Sequence, residues 1–98
     1  MTLINTFTVD PARAEDLLET LSRATEQTMR HLPGFVSANL HVSDDRRHVA
    51  NYAQWVSAAD FKAIFDDPAV AAHMREAAEI AESFAPIIYE LRESHERR

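Results

Sequence analysis

Two alternating runs joined by four charged residues, Asp44-Asp45-Arg46-Arg47, constrain this chain more than any other feature. Before the turn, Phe35 to Ser43 places Val36, Ala38, Leu40 and Val42 on one side and Phe35, Ser37, Asn39 and His41 on the other. After it, Arg47 to Val56 runs to Ser57, with Val49, Asn51, Ala53 and Trp55 on one face and Ala50, Tyr52, Gln54 and Val56 on the opposite one. Period-two runs bounded by turn residues predict two strands, and the short polar connection predicts a hairpin. Both sides of the first strand are mixed, so its pattern leaves open which one meets the core.

The flanking segments supply the rest of a sheet and its helices. Thr2 to Val9 alternates as a strand, with Leu3, Asn5, Phe7 and Val9 on one face. Asp10-Pro11 then offers an N-cap and a first-turn proline. Leu17, Leu18, Leu21, Ala24, Thr25, Thr28, Met29 and Leu32 recur at helical spacing, and Leu32-Pro33-Gly34 is expected to end that helix. Ser57-Ala58-Ala59-Asp60 resembles a capping box with Asp in place of Glu and opens a short helix through Phe61, Ile64 and Phe65. Asp66-Asp67-Pro68 caps a second piece, helical over 69–83, with Val70, His73 or Met74, Ala77, Ile80 and Ala81 inward. Phe84-Ala85-Pro86 is expected to break it, leaving Ile87 to Leu91 as a last strand with the proline at its start. The order β-α-β-β-α-β predicts a ferredoxin-like α+β unit: a four-stranded antiparallel sheet with helices on one face.

Ninety-eight residues make one domain, 1–98, with no room for a second and a charged tail, 93–98, expected to fray. So small a domain buries roughly 60–65% of its unfolded surface, so a homodimer formed sheet to sheet is expected. Cysteine is absent, which removes disulfides, thiolate nucleophiles and cysteine-ligated metals. The single glycine, Gly34, leaves no Gly-rich phosphate loop. A formal net charge of −6 argues against nucleic acid or an anionic membrane as partner. No apolar run approaches a membrane span, and no signal-peptide pattern follows Met1, so a cytoplasmic location is expected. The five histidines lie on different elements without ligand spacing, so no metal is expected.

Asn51 and Trp55 put a carboxamide and an indole N–H on one apolar strand face. At roughly 3.3 Å per residue they lie about 13 Å apart, enough to reach opposite ends of one flat ligand. The competing interpretation is a core tryptophan with its N–H satisfied and an asparagine bonded to the backbone. His41 is either a strand imidazole that takes a proton near neutrality or simply half-exposed. His73 and Arg75 are roughly 160° apart around the last helix and cannot face the same way. Arg75 offers a cation to an oxyanion in a pocket, or pairs on the surface with Glu76 or Glu79.

Pro33-Gly34-Phe35-Val36-Ser37-Ala38, His41, Asn51-Tyr52-Ala53-Gln54-Trp55 and Pro68 through His73-Met74-Arg75 together resemble the antibiotic biosynthesis monooxygenase domain. The resemblance covers essentially the whole chain. It implies a dimeric α+β barrel with a pocket in each subunit between sheet and helices. It also implies a cofactor-independent monooxygenase that uses O₂ to oxidise a polycyclic aromatic, anthrone-like substrate to a quinone. By the same resemblance Asn51, Trp55, His41 and Arg75 fall on catalytic positions, while Phe61, Tyr52, Phe65, His73 and Asn5 are assigned to the substrate pocket. Phe61 stands where that subgroup has a proton-relaying tyrosine, which moves any relay to water, Tyr52 or Tyr89. Two alternatives share the fold: an auxiliary barrel that binds an aromatic intermediate without oxidising it, and a haem-degrading branch. The latter matches Asn5 and His73 but lacks the helical tryptophan, its places being Ala63, Ile64 and Phe65.

Overall fold

The structure, a computed structural model, describes residues 1–98. In chain order it comprises β1 (Thr2–Thr8), α1 (Ala14–Gln27), β2 (Phe35–Val42), β3 (His48–Trp55), α2 (Ala58–Ala63), α3 (Pro68–Ile80) and β4 (Ser83–Tyr89). All strand pairs are antiparallel, in the order β2-β3-β1-β4, giving the ferredoxin-like α+β fold. No helix is long and apolar enough to cross a membrane.

Local chemistry explains the boundaries. Asp10 accepts from the Ala12 N–H at 2.9 Å ahead of a 3-10 turn, Pro11–Arg13, that leads into α1. Ser57 caps α2 by accepting from the Asp60 N–H at 3.1 Å. The shorter Asp60 carboxylate reaches only the Ser57 hydroxyl, at 3.0 Å, where a glutamate in a full capping box reaches the backbone. Asp67 caps α3 through the Ala69 N–H at 2.8 Å, with Pro68 in the first turn.

Three expectations need correction. α1 ends at Gln27 and not at Leu32-Pro33-Gly34, because Thr28 leaves helical geometry (φ −129°) and a 3-10 turn, Met29–His31, follows. α3 stops at Ile80, and Phe84-Ala85-Pro86 lies inside β4 where a helix break was expected. β4 pairs only with β1, and an edge strand tolerates the missing proline N–H. Finally, β2 carries a bulge between Phe35 and Ser37: Phe35 pairs with Trp55, and Ser37 pairs with Gln54. The extra residue turns Phe35 to the inner face beside Ala38, while Val36 is exposed.

The helices cover one face of the sheet. Across it, register places Pro86, Asn5, Asn51 and Leu40 in one row, Ile88, Leu3, Ala53 and Ala38 in the next, and Phe84, Phe7, Val49 and Val42 on the other side. The core divides along the asparagine row. Phe7, Val9, Leu17, Leu21, Val49 and Ala77 form one buried cluster, and Leu3, Ala53, Trp55, Phe61, Ile64 and Val70 form another. The opposite face, with Ile4, Tyr52, Ile87 and Tyr89, has no helix over it, and Tyr52, Ile87 and Tyr89 are exposed.

The hairpin turn is organised by Asp45. Its carboxylate accepts from the Ser43 hydroxyl at 2.7 Å and from the Arg47 N–H at 3.0 Å, and these bonds hold its pKa below the ordinary carboxylate value. Such a group stabilises the folded turn above about pH 4 and stops doing so as pH falls through its lowered pKa. The protection of the Arg47 and His48 amides, their exchange rates compared with the unfolded-chain rate at the same pH, should therefore fall below that pH, and Asp45→Asn should flatten the dependence. Protection independent of pH in the unmodified chain would contradict this.

Candidate active site

Between the second cluster and the helices lies a cavity of about 440 Å³ lined by 17 residues, 12 of them hydrophobic. That volume suits a ring system of several fused rings. The floor comes from the sheet: Leu3, Asn5, Ala38, Asn51, Ala53 and Trp55, with Phe84 and Pro86 from β4. The roof comes from Thr25 and Met29 on one side and from Phe61, Ile64, Phe65, Ala71, Met74 and Arg75 on the other.

Asn5 and Asn51 face each other directly across β1 and β3. Adjacent cross-strand positions hold their side chains about 5 Å apart, so the two carboxamides act as a pair. Their Oδ1 atoms are buried and have no hydrogen-bond partner. An unpartnered buried amide oxygen costs about 1–3 kcal/mol, and sites with a role for a ligand are where such a cost persists. The competing interpretation, an Asn51 bonded to the backbone, does not describe this geometry.

Trp55 is 4% exposed and heads an aromatic series. Phe35 meets it edge-on at 5.4 Å, Phe61 lies tilted against it at 5.9 Å, and Phe65 meets Phe61 edge-on at 5.3 Å. Phe65 is 54% exposed, so the series runs from the buried floor to the surface. At Phe61 the wall offers no hydroxyl. Among the residues that line the cavity, none is a carboxylate, an imidazole or a phenol.

Of the nine residues singled out from sequence, the structure brings together Asn5, Asn51, Trp55, Phe61, Phe65 and Arg75. His41, Tyr52 and His73 are not on the cavity wall, for different reasons. His41 pairs with Ala50, and Tyr52 lies between Asn51 and Ala53, so alternation sends both to the uncovered face. His73 turns toward the end of α1, its Nε2 lying 2.9 Å from the hydroxyl of Thr28, and its Nδ1 lies 4.0 Å from Glu76 on its own helix. Of the haem-degrading pattern only Asn5 therefore stands at the cavity.

Eleven further residues complete the wall without having been proposed as site residues, among them Phe35, Thr25, Met29, Met74, Phe84 and Pro86. Thr25, Met29 and Met74 were visible as inward helix positions. Phe35 was hidden by the bulge, and Phe84 and Pro86 by the proline that suggested a break.

Comparison with known proteins agrees with this architecture. Residues 1–76 match the antibiotic biosynthesis monooxygenase family. Tetracenomycin-F1 monooxygenase of Streptomyces glaucescens is 49% identical over 72 residues, 74% of this chain, and the match spans 64% of that relative's length. The crystal structure of the monooxygenase from the gene ActVA-Orf6 of Streptomyces coelicolor, in complex with nanaomycin D, superposes with a TM-score of 0.81 at 29% identity. It covers 99% of this chain and 91% of that one. SnoaB, a cofactor-independent oxygenase of Streptomyces nogalater, shares the fold with a TM-score of 0.79 at 22% identity, over 95% and 93% of the two chains. From the match over residues 1–76, joined to this fold and cavity, the chain belongs to the antibiotic biosynthesis monooxygenase family.

Proposed function

We propose that the cavity binds a flat polycyclic phenol of the anthrone type and that the protein oxidises it with O₂ to a quinone, without a cofactor. The observation that carries this reading is the Asn5–Asn51 pair, two orphaned carboxamides in an otherwise apolar cavity beside Trp55. Relatives described as a tetracenomycin-F1 monooxygenase and a cofactor-independent oxygenase support the reaction class.

An electron-rich hydroxyanthrone loses a ring proton to give a delocalised anion, which passes an electron to O₂ directly. Oxygen then bonds to that carbon as a peroxide anion, which takes a proton back from water, and loss of water from the hydroperoxide completes the change from CH₂ to C=O. The apolar walls strengthen every hydrogen bond made inside them: the buried Asn5 and Asn51 Oδ1 atoms accept from the substrate's hydroxyl groups, and the amide N–H groups are the neutral donors offered to the anion. Trp55 closes the floor against the ring. With no carboxylate or imidazole on the wall, the proton leaves to water at the mouth or the substrate enters as its anion. The proposal includes a homodimer in the cytoplasm, the second copy covering the sheet face that carries Ile4, Tyr52, Ile87 and Tyr89.

One feature favours a second reading, a barrel that holds such a ring without oxidising it: Phe61 places no relay on the wall. Metal-free protein incubated with 1,8-dihydroxyanthrone separates the two. O₂ consumption and quinone absorbance should rise above the buffer control, and no rise across several hydroxyanthrones would reject the oxygenase. Trp55→Phe should lower turnover by roughly a hundredfold while costing about 1–2 kcal/mol of stability. A larger loss of stability with unchanged specific activity would assign Trp55 to the core alone.

A further inference from the structure

The reading of the cavity as a site for flat phenols leaves its one charged residue unexplained. Every other residue of the wall is neutral, and Arg75 alone carries a charge there. Arginines elsewhere in the folded part of the chain have partners: Arg13 with Asp16, Arg23 with Glu76, Arg30 with Glu26, Arg46 with Glu15 and Arg47 with Glu82, at 2.6–3.6 Å. Arg75 has none, in a chain where 16 acidic residues outnumber 10 basic ones. Its neighbour Glu76 is held by Arg23 at 3.0 Å and faces His73 at 4.0 Å, and Glu79 makes no ion pair with it, so neither surface pair that the sequence allowed forms.

Position separates Arg75 from the amide pair. Asn5 and Asn51 lie on the sheet with buried oxygens, whereas Arg75 is an exposed residue of α3 at the opening. A solvated guanidinium is screened and contributes little to a charge that develops deep in the cavity. It is well suited to hold a permanent anion at the mouth through two parallel N–H bonds.

We propose that Arg75 selects substrates bearing a carboxylate at the end of the ring system remote from the oxidised carbon. The substrate class is thereby narrowed from polycyclic phenols to polycyclic phenolic acids, and the inference rests on the ligand site described above. The single tryptophan, Trp55, lies in the cavity and reports occupancy by its emission. Titration with anthraquinone-2-carboxylate and with anthraquinone-2-carboxamide, its uncharged isostere, should show the acid binding about tenfold tighter. The margin should shrink as salt is added. Arg75→Gln should bring the acid's affinity to that of the amide, and Arg75→Lys should keep part of the preference, being a point charge without the fork. Thermal unfolding of both variants should match the parent, since the side chain is exposed and unpaired. Equal affinities in the unmodified protein, or a preference that survives Arg75→Gln, would overturn the assignment while leaving the site reading standing. Binding of neither ligand would overturn both.

Discussion

Exchanging Asn51 for leucine, a side chain of nearly the same shape, is expected to raise the melting temperature while lowering turnover a hundredfold or more. The two effects have one source. The Asn51 Oδ1 is buried without a donor, between two hydrophobic clusters that a leucine would join. Removing an unsatisfied polar atom and adding apolar contact should stabilise by about 1–2 kcal/mol. In a domain this small, each kcal/mol moves the midpoint by roughly 4–8 °C. Under the proposed function the same exchange deletes a carboxamide that meets the substrate, and loss of one such group typically costs about 10²–10³ in rate. Thermal unfolding and O₂ uptake on one preparation test both halves. A lower midpoint with undiminished turnover would make the carboxamide a structural element and remove the central support for the oxygenase reading.

Gly34→Ala should be the most damaging single methyl in the chain. Gly34 has φ +85°, a left-handed conformation that L side chains adopt at a cost of about 1 kcal/mol or more. A Cβ there would lie 2.4 Å from the Asp60 Cβ and 2.5 Å from its Cγ. Asp60 is fixed in the first turn of α2 by Ser57, and the Gly34 carbonyl accepts from the Val56 N–H at 2.7 Å, so neither side can yield cheaply. Overpacking of this kind adds about 1–3 kcal/mol, giving a total of about 2–4 kcal/mol and a fall of roughly 8–32 °C in melting temperature. Asp60→Ala should not rescue it, because the nearest colliding atom is the Cβ that alanine keeps. A full rescue would show that the carboxylate alone was responsible.

Wherever the signal was local, it was legible in the sequence. The element order, the caps at Asp10, Ser57 and Asp67, and the shared face of Val49, Asn51, Ala53 and Trp55 all follow from periods and turn residues within a few positions. What escaped depends on pairing between distant segments. Pro86 is acceptable in β4 only because that strand has a neighbour on one side, which sheet order decides. Helical spacing left His73 or Met74 inward and the resemblance put His73 at the pocket, yet Thr28, 45 residues earlier, turns it aside. Arg75 was ambiguous for the same reason: whether Glu76 was free to pair with it depended on Arg23 in another helix. Opposed asparagines were visible as Asn5 and Asn51 on two apolar faces, but their meeting in one row required the register of β1 against β3.

The bulge in β2 makes position 36 a spacer whose presence matters more than its identity. Val36 is 57% exposed and lends no side chain to the cavity. What it contributes is a phase shift: one strand can present Ala38, Leu40 and Val42 inward and still deliver Phe35 to the edge of Trp55. Drift among polar or small side chains at this position should leave the aromatic series intact. A change in length there would break it, so the site is more vulnerable to a missing residue at 36 than to a wrong one.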